Sequence, residues 1–223
     1  MISAKAIIFD MDGVLVDSEP HHIRSERRMF EKMQIPISQE EHARFMGTAT
    51  DVMWSRIIEN KQLDLELEEM VAMQNRETHL YFSGLPYMEP MSGLVSLLKQ
   101  IKKQGIPMAV ASSSSVETID IVMDKSGLRS FFEHVVSSSV VGKSKPAPDV
   151  FLYAAQLLQT APEDCMVIED STNGVRAAKA AGMYCVAYAG ASSEGQDHSL
   201  ADRIIYDYAE LEELVTTVID GGS

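Results

Sequence analysis

KAIIFDMDGVLVDSEP, residues 5–20, is the stretch from which the rest of the chain is read. Ala6-Ile7-Ile8-Phe9 is a continuous apolar run without polar alternation, the pattern of a strand covered on both faces. It leads directly into Asp10-Met11-Asp12-Gly13. Acids at i and i+2 point to the same side of an extended chain, and Gly13 permits a tight exit.

Working outward, five further strand-like runs follow: 107–112 (PMAVAS), 134–137 (HVVS), 165–169 (CMVIE), 184–188 (YCVAY) and 203–206 (RIIY). Helical patterns separate them at 93–104, 116–126, 149–159 and 173–181, and another closes the chain at 209–219. Strand-then-helix alternation predicts an α/β fold, a Rossmann-like and mostly parallel sheet with helices on both faces. One block breaks the alternation. Residues 19–88 read as helix with long polar faces, which predicts an inserted α-helical cap domain. The catalytic core would then comprise 1–18 plus 89–223, with hinges near 14–18 and 85–91, the second punctuated by Gly84, Pro86, Pro90 and Gly93. A cap hinged beside a strand's carboxyl end would cover the crevice where open α/β sheets bind ligands.

The 223 residues are 45% hydrophobic and 23% charged, enough to bury a core. No apolar run approaches the ~20 residues that span a bilayer. The first residues read as a strand and not as a signal peptide, so a cytoplasmic protein is expected. A formal charge of −14 repels nucleic acid and anionic membranes, and neither is expected as a partner. A monomer is the default. Cys165 and Cys185 sit in apolar runs and read as packed free thiols. Trp54, the one tryptophan, reads as cap core, with a sugar-facing platform as the alternative.

Four strand ends carry the chemistry. The first gives Asp10 and Asp12. The second ends in hydroxyls, Ser112 to Ser115. The third leads through Gly142 to Lys143 and Lys145. The fourth ends in Glu169-Asp170-Ser171-Thr172-Asn173-Gly174. In a parallel sheet these termini meet along one edge. Clustered carboxylates repel, so some must protonate or a cation must sit among them. Oxygen ligands with few histidines suit Mg2+ better than zinc. A lysine and hydroxyls can hold phosphoryl oxygens, one aspartate can be a covalent nucleophile, and a second can move protons.

With these motifs the sequence resembles the haloacid dehalogenase superfamily, in the branch that includes β-phosphoglucomutase and small sugar-phosphate phosphatases. FDMDGVLVDSEP, AVASSS, GKSKPAPDVF and VIEDSTNGVRAAKAAGM are similar to its four motifs, in order and over essentially the whole chain. The resemblance implies that Asp10 is nucleophile and metal ligand. Asp12 would be general acid/base and bind the metal through its backbone carbonyl. Ser112, Ser113 (through its backbone) and Lys145 would bind the transferred phosphoryl group, and Glu169 and Asp170 would bind Mg2+.

For the cap, the resemblance points to His22, to the specificity loop holding Gly47, Thr48 and Thr50, and to Arg76. The expected activity is a Mg2+-dependent phosphatase of small phosphorylated metabolites, sugar or polyol phosphates, working through an aspartyl-phosphate. A phosphosugar mutase and an inorganic pyrophosphatase are the alternatives. In β-phosphoglucomutase an arginine in the specificity loop holds a second phosphate, and Thr48 to Asp51 offer no cation there. A dehalogenase would have no use for Asp12. A non-catalytic module would be expected to have lost at least one of Asp10, Asp12, Lys145 and Asp170.

Overall fold

The structure, a computed structural model, describes residues 4–45, 48, 50–190, 193–212 and 215. Their contacts divide the chain into two compact units, Met1–Asp17 with Tyr87–Ser223, and Ser18–Pro86. The sequence-based limits lie one residue later at the first crossing and two later at the second. Ser18 occupies the N-cap position of a helix of the second unit. At the other crossing, Met88 N–H donates to the Lys125 carbonyl of the first unit, and Met88 is buried.

The first unit is built on six strands: β1 (Ala6–Phe9), β2 (Met108–Ser112), β3 (His134–Ser137), β4 (Cys165–Glu169), β5 (Tyr184–Tyr188) and β6 (Arg203–Ile205). Their spatial order is β3-β2-β1-β4-β5-β6, and every pairing is parallel. This is the doubly wound α/β arrangement that the alternation predicts. β1, β2 and β4 are buried throughout, which is why they read as unbroken apolar runs.

Ala6 and Ile8 face one side, packed with Ala109, Ala111, Val167 and the apolar faces of two helices, Asp149–Leu157 and Thr172–Ala180. Alternation along the strand sends Phe9 to the other side, where its ring meets the edge of Phe132 at 5.8 Å. Burial pushes the Cys165 thiol up to about 11 and the Cys185 thiol higher still, so both are inert packing groups. The expected last helix is described as helical at 208–212.

The chain lays down β1, β2 and β3 in one direction and then returns to put β4 on the other side of β1. The order therefore reverses between β1 and β4, the place where open α/β sheets form their ligand crevice. Ile8 lies opposite Ala109 on one side and Val167 on the other, and from that level β1 runs one residue further, β4 two and β2 three, so their carboxyl ends finish side by side in a short stagger.

The second unit holds α1 (Glu19–Lys32), α2 (Gln39–Ala43), α3 (Thr50–Lys61) and α4 (Leu67–Ser83). Its core gathers Met29, Phe30, Ile35, Met53, Trp54, Ile57 and Met70. Trp54 is fully buried with the Phe30 ring edge-on at 5.7 Å, a packing residue and not a platform. The helices of the first unit continue the numbering: α5 (Leu94–Lys103), α6 (Val116–Ser126), α7 (Asp149–Leu157) and α8 (Thr172–Ala180). Among the described residues no helix is long and apolar enough to cross a membrane.

Candidate active site

Asp10 leaves β1 with its N–H on the Ile168 carbonyl of β4 at 2.9 Å, so the strand pairing itself sets it beside Glu169. Both are nearly or fully out of solvent, at 6% and 0% exposure. Lys145 Nζ lies between them, 2.5 Å from Asp10 Oδ1 and 2.8 Å from Glu169 Oε1. Its third N–H donates to the Ala111 carbonyl at 3.0 Å, and the ammonium sits 4.8 Å from the Phe151 ring centre. An ammonium has three donors, and all three are engaged. Lys145 can therefore meet a phosphoryl oxygen only by sharing or exchanging one of these bonds, while its charge acts on the site throughout.

Asp10, Glu169 and Asp170 each offer an oxygen, and the three lie within 4.8 Å of one another. One ammonium does not neutralise three carboxylates. Burial, countered by Lys145 and reinforced by Glu169 and Asp12, pushes Asp10 up to about 7. Burial, with Glu169 and Asp10 beside it, pushes Asp170 well above the usual carboxylate range. Lys145 is raised: burial works to lower it, but Asp10 and Glu169 outweigh that. A buried all-oxygen donor set with surplus negative charge fits a small hard divalent cation.

Two glycines make room for these carboxylates. A Cβ on Gly13, whose φ is +75°, would sit 2.0 Å from Asp170 Oδ2, and one on Gly174 would sit 1.6 Å from Glu169 Oε1. Ser171 holds Glu169 from the other side. Its N–H and Oγ donate to Glu169 Oε2 at 2.7 and 3.0 Å, while the same Oγ accepts from Gly174 N–H and caps α8.

Asp12 has a different environment. Its Oδ2 accepts from Ser114 Oγ at 2.8 Å and from Ser112 Oγ at 3.4 Å. Ser112 Oγ also accepts from Ser114 N–H at 3.0 Å, and Ser137 Oγ donates to the Ser114 carbonyl at 2.6 Å. Ser115 caps α6 by accepting from Thr118 N–H.

Of the residues singled out from sequence, the structure brings Asp10, Lys145, Glu169 and Asp170 together, with Ser112 on Asp12. The Ser113 side chain is exposed. His22 on α1, Thr48, Thr50 at the start of α3 and Arg76 on α4 belong to the other compact unit. The His22 ring lies 5.0 Å from Phe82, and Arg76 is exposed. Gly47 lies outside the described residues. Sequence reasoning left Ser114 without a role of its own in a run of four hydroxyls, and missed the part played by Ser171, whose signal was a hydroxyl two residues past the acid and three before a glycine.

A doubly wound sheet with an aspartate at its switch point, a lysine bridging it to a second strand end, and a third acid beside them defines an α/β protein whose site is built of carboxylates around an ammonium. The chain belongs to the haloacid dehalogenase-like hydrolases, whose family model matches residues 7–188. It is 30% identical to a β-phosphoglucomutase of Bacillus subtilis over 212 residues, 93% of this chain and 91% of that protein. It is 34% identical to the fructose-1-phosphate phosphatase YqaB of Escherichia coli over 181 residues, 81% of this chain and 94% of that one. Among solved structures it resembles CbbY from Rhodobacter sphaeroides in complex with xylulose-(1,5)bisphosphate. The TM-score is 0.82 at 25% identity, covering 95% of this chain and 96% of that one.

Proposed function

We propose that the protein is a Mg2+-dependent phosphatase of small phosphorylated metabolites, sugar or polyol phosphates, which forms an aspartyl-phosphate on Asp10. The observation that carries this reading is the division of labour between two acids two residues apart. Asp10 is paired with an ammonium at the switch point, while Asp12 is held by hydroxyls. Different environments on neighbouring carboxyls are how one site keeps a nucleophile and a proton carrier apart.

In the first step an Asp10 oxygen attacks phosphorus and the bond to the leaving oxygen breaks, with Asp12 giving that oxygen its proton. In the second, Asp12 takes a proton from water, the water oxygen attacks phosphorus, and the bond to Asp10 breaks. Lys145 keeps Asp10 oriented and its charge offsets the charge that develops on the phosphoryl oxygens. Mg2+, held by Asp10 and Asp170 with Glu169 beside them, would supply further positive charge against those oxygens.

The Bacillus relative's name favours a second reading, a mutase that returns the phosphoryl group to a sugar hydroxyl. Against it, residues 47–51 (GTATD) contain no lysine or arginine to hold a second phosphate. The test is phosphate release, with and without Mg2+, from sugar phosphates, polyol phosphates, nucleotides and pyrophosphate, with β-glucose 1-phosphate plus a bisphosphate assayed alongside for isomerisation. Free phosphate from a few hexose or polyol phosphates is expected. Isomerised sugar with little free phosphate would install the mutase reading, and preference for pyrophosphate would install the anhydride one.

A further inference from the structure

The segment that follows β5 is tied to the turn carrying Asp170 by side chains that the reaction above does not use. Gln196 Oε1 accepts from Thr172 N–H at 2.9 Å, and Thr172 Oγ1 accepts from Asp197 N–H at 2.7 Å. His198 Nε2 lies 2.6 Å from the Asp170 carbonyl oxygen. A carbonyl only accepts, so the proton sits on Nε2. The imidazole is 9% exposed and rises from an ordered turn: Ser199 N–H donates to Asp197 Oδ1 at 2.9 Å, and Ala201 N–H to the His198 carbonyl at 3.0 Å.

The Asp170 carbonyl and the Ser171 N–H belong to one planar peptide unit. That N–H is the one donating to Glu169 Oε2 at 2.7 Å. The plane is thus held at both edges, by an imidazole on its oxygen and by a carboxylate on its hydrogen. Displacing it would carry along the Cα of Asp170, one of its six atoms, and turning it would break the bond that orients Glu169. A donor on the carbonyl also polarises the peptide and strengthens its N–H as a donor.

We infer that His198 is a positioning residue for the cation-binding carboxylates: by fixing the Asp170–Ser171 peptide, it holds Asp170 and Glu169 at the separation that a divalent cation needs. This rests on the acidic cluster being the Mg2+ site. His198 acts through the backbone of Asp170 and reaches neither cation nor substrate.

The test is the Mg2+ dissociation constant, measured by calorimetry on the whole protein after chelation and dialysis, with the unfolding midpoint of each variant recorded in parallel. H198A is expected to weaken Mg2+ binding about 10–100-fold, the usual range for partners that orient metal ligands. H198Q, whose amide nitrogen extends as far as Nε2, is expected to recover most of that loss. Q196A removes the neighbouring tie at Thr172 and is expected to lower the midpoint while leaving Mg2+ affinity within about twofold. Wild-type affinity in H198A would overturn the inference, and so would an equal loss in Q196A, which would trace the effect to the segment's stability. If H198A does not fold, H198N takes its place. Its shorter amide keeps polarity but not reach and should weaken Mg2+ as Ala would, and wild-type affinity there overturns the inference. Absence of Mg2+ binding in the wild-type protein itself would overturn the metal reading and this inference with it, a pattern distinct from failure in the variants alone.

Discussion

The two units bury polar groups in opposite ways. In the helical unit several buried ionisable and hydroxyl side chains meet a matching neighbour. Glu77 Oε1 lies 2.9 Å from Arg28 Nε, His42 Nε2 lies 2.6 Å from Glu26 Oε2, and Ser25 Oγ lies 3.1 Å from Thr78 Oγ1. In the α/β unit three carboxylates gather round one ammonium, and two of them are pushed up the pH scale by burial and by each other. Buried charge that only supports a scaffold is compensated locally, because an unmatched one is costly. Charge left in surplus at a topological switch point marks where something from solution is to be bound. If that contrast is sound, changes at the cluster should move chemistry and cation affinity, and changes at the helical pairs should move stability alone.

The sharpest way to break the contrast is Asp10→Asn. The amide fills the same space and removes one of the repelling charges, so the fold should persist with an unfolding midpoint at or above that of the wild type. Phosphate release should fall by at least about 10⁴-fold, as for other covalent nucleophiles. Turnover within about tenfold of wild type would end the covalent mechanism. Next in size comes Gly174→Ala. Its methyl would have to displace the Glu169 carboxylate, for a Cβ there lies 1.6 Å from Oε1. Urea unfolding should show a loss of about 1–3 kcal/mol from overpacking. Mg2+ affinity measured on the same variant should fall with it. A variant that loses stability and keeps its cation affinity would separate Glu169 from the binding site.

How much of this could be read from sequence differs between the units for the same physical reason. β3, β4 and β5 have the limits that their runs suggest, and in β4 and β5, flanked by strands on both sides, burial of both faces is what makes the run apolar. The parallel sheet then lines up strand ends, so Asp10, Lys145, Glu169 and Asp170 were legible although 160 residues of sequence separate the first from the last. Ser114 was not, because four consecutive serines differ only in how the backbone turns between β2 and α6. His198 was not, because it reaches Asp170 from a loop 28 residues on, where no periodicity operates. The helical block reads only as helix with long polar faces, yet Gln74 and Glu77 within it are buried, with Gln74 bonded to Thr78 and Glu77 to Arg28 of α1. Polarity predicts exposure only where no partner waits on the facing helix.

A smaller effect sharpens the surplus-charge side. An acid whose folded value is raised keeps protons that the unfolded chain has lost. The metal-free protein therefore loses stability as pH climbs from about 4, the unfolded value, and the Asp10 share of that loss is complete once pH passes about 7, its folded value. A cation replaces those protons. The stabilisation from Mg2+ should be slight at pH 5, where protons compete, and should approach about 3 kcal/mol at pH 8 with Mg2+ at a hundred times its dissociation constant. Equal gains at both pH values would mean that the cation binds somewhere other than this cluster.

The smallest expected effect tests the compensated side. Glu77 has a side chain only 8% exposed, but its partners Arg28 and Lys32 are 54% and 60% exposed. Half-solvated cations are screened, so the pairing contributes less than burial of the carboxylate alone suggests. Glu77→Gln keeps the shape and a hydrogen-bonding oxygen for Arg28 while removing the charge. Thermal or urea unfolding should show a loss of about 1 kcal/mol or less. Because both cations belong to α1 of the same unit, Mg2+ affinity and its pH dependence should match the wild type. A shift in either would mean that the helical unit's charge balance is coupled to the cluster, and that the two units do not divide scaffold from chemistry as their buried groups suggest.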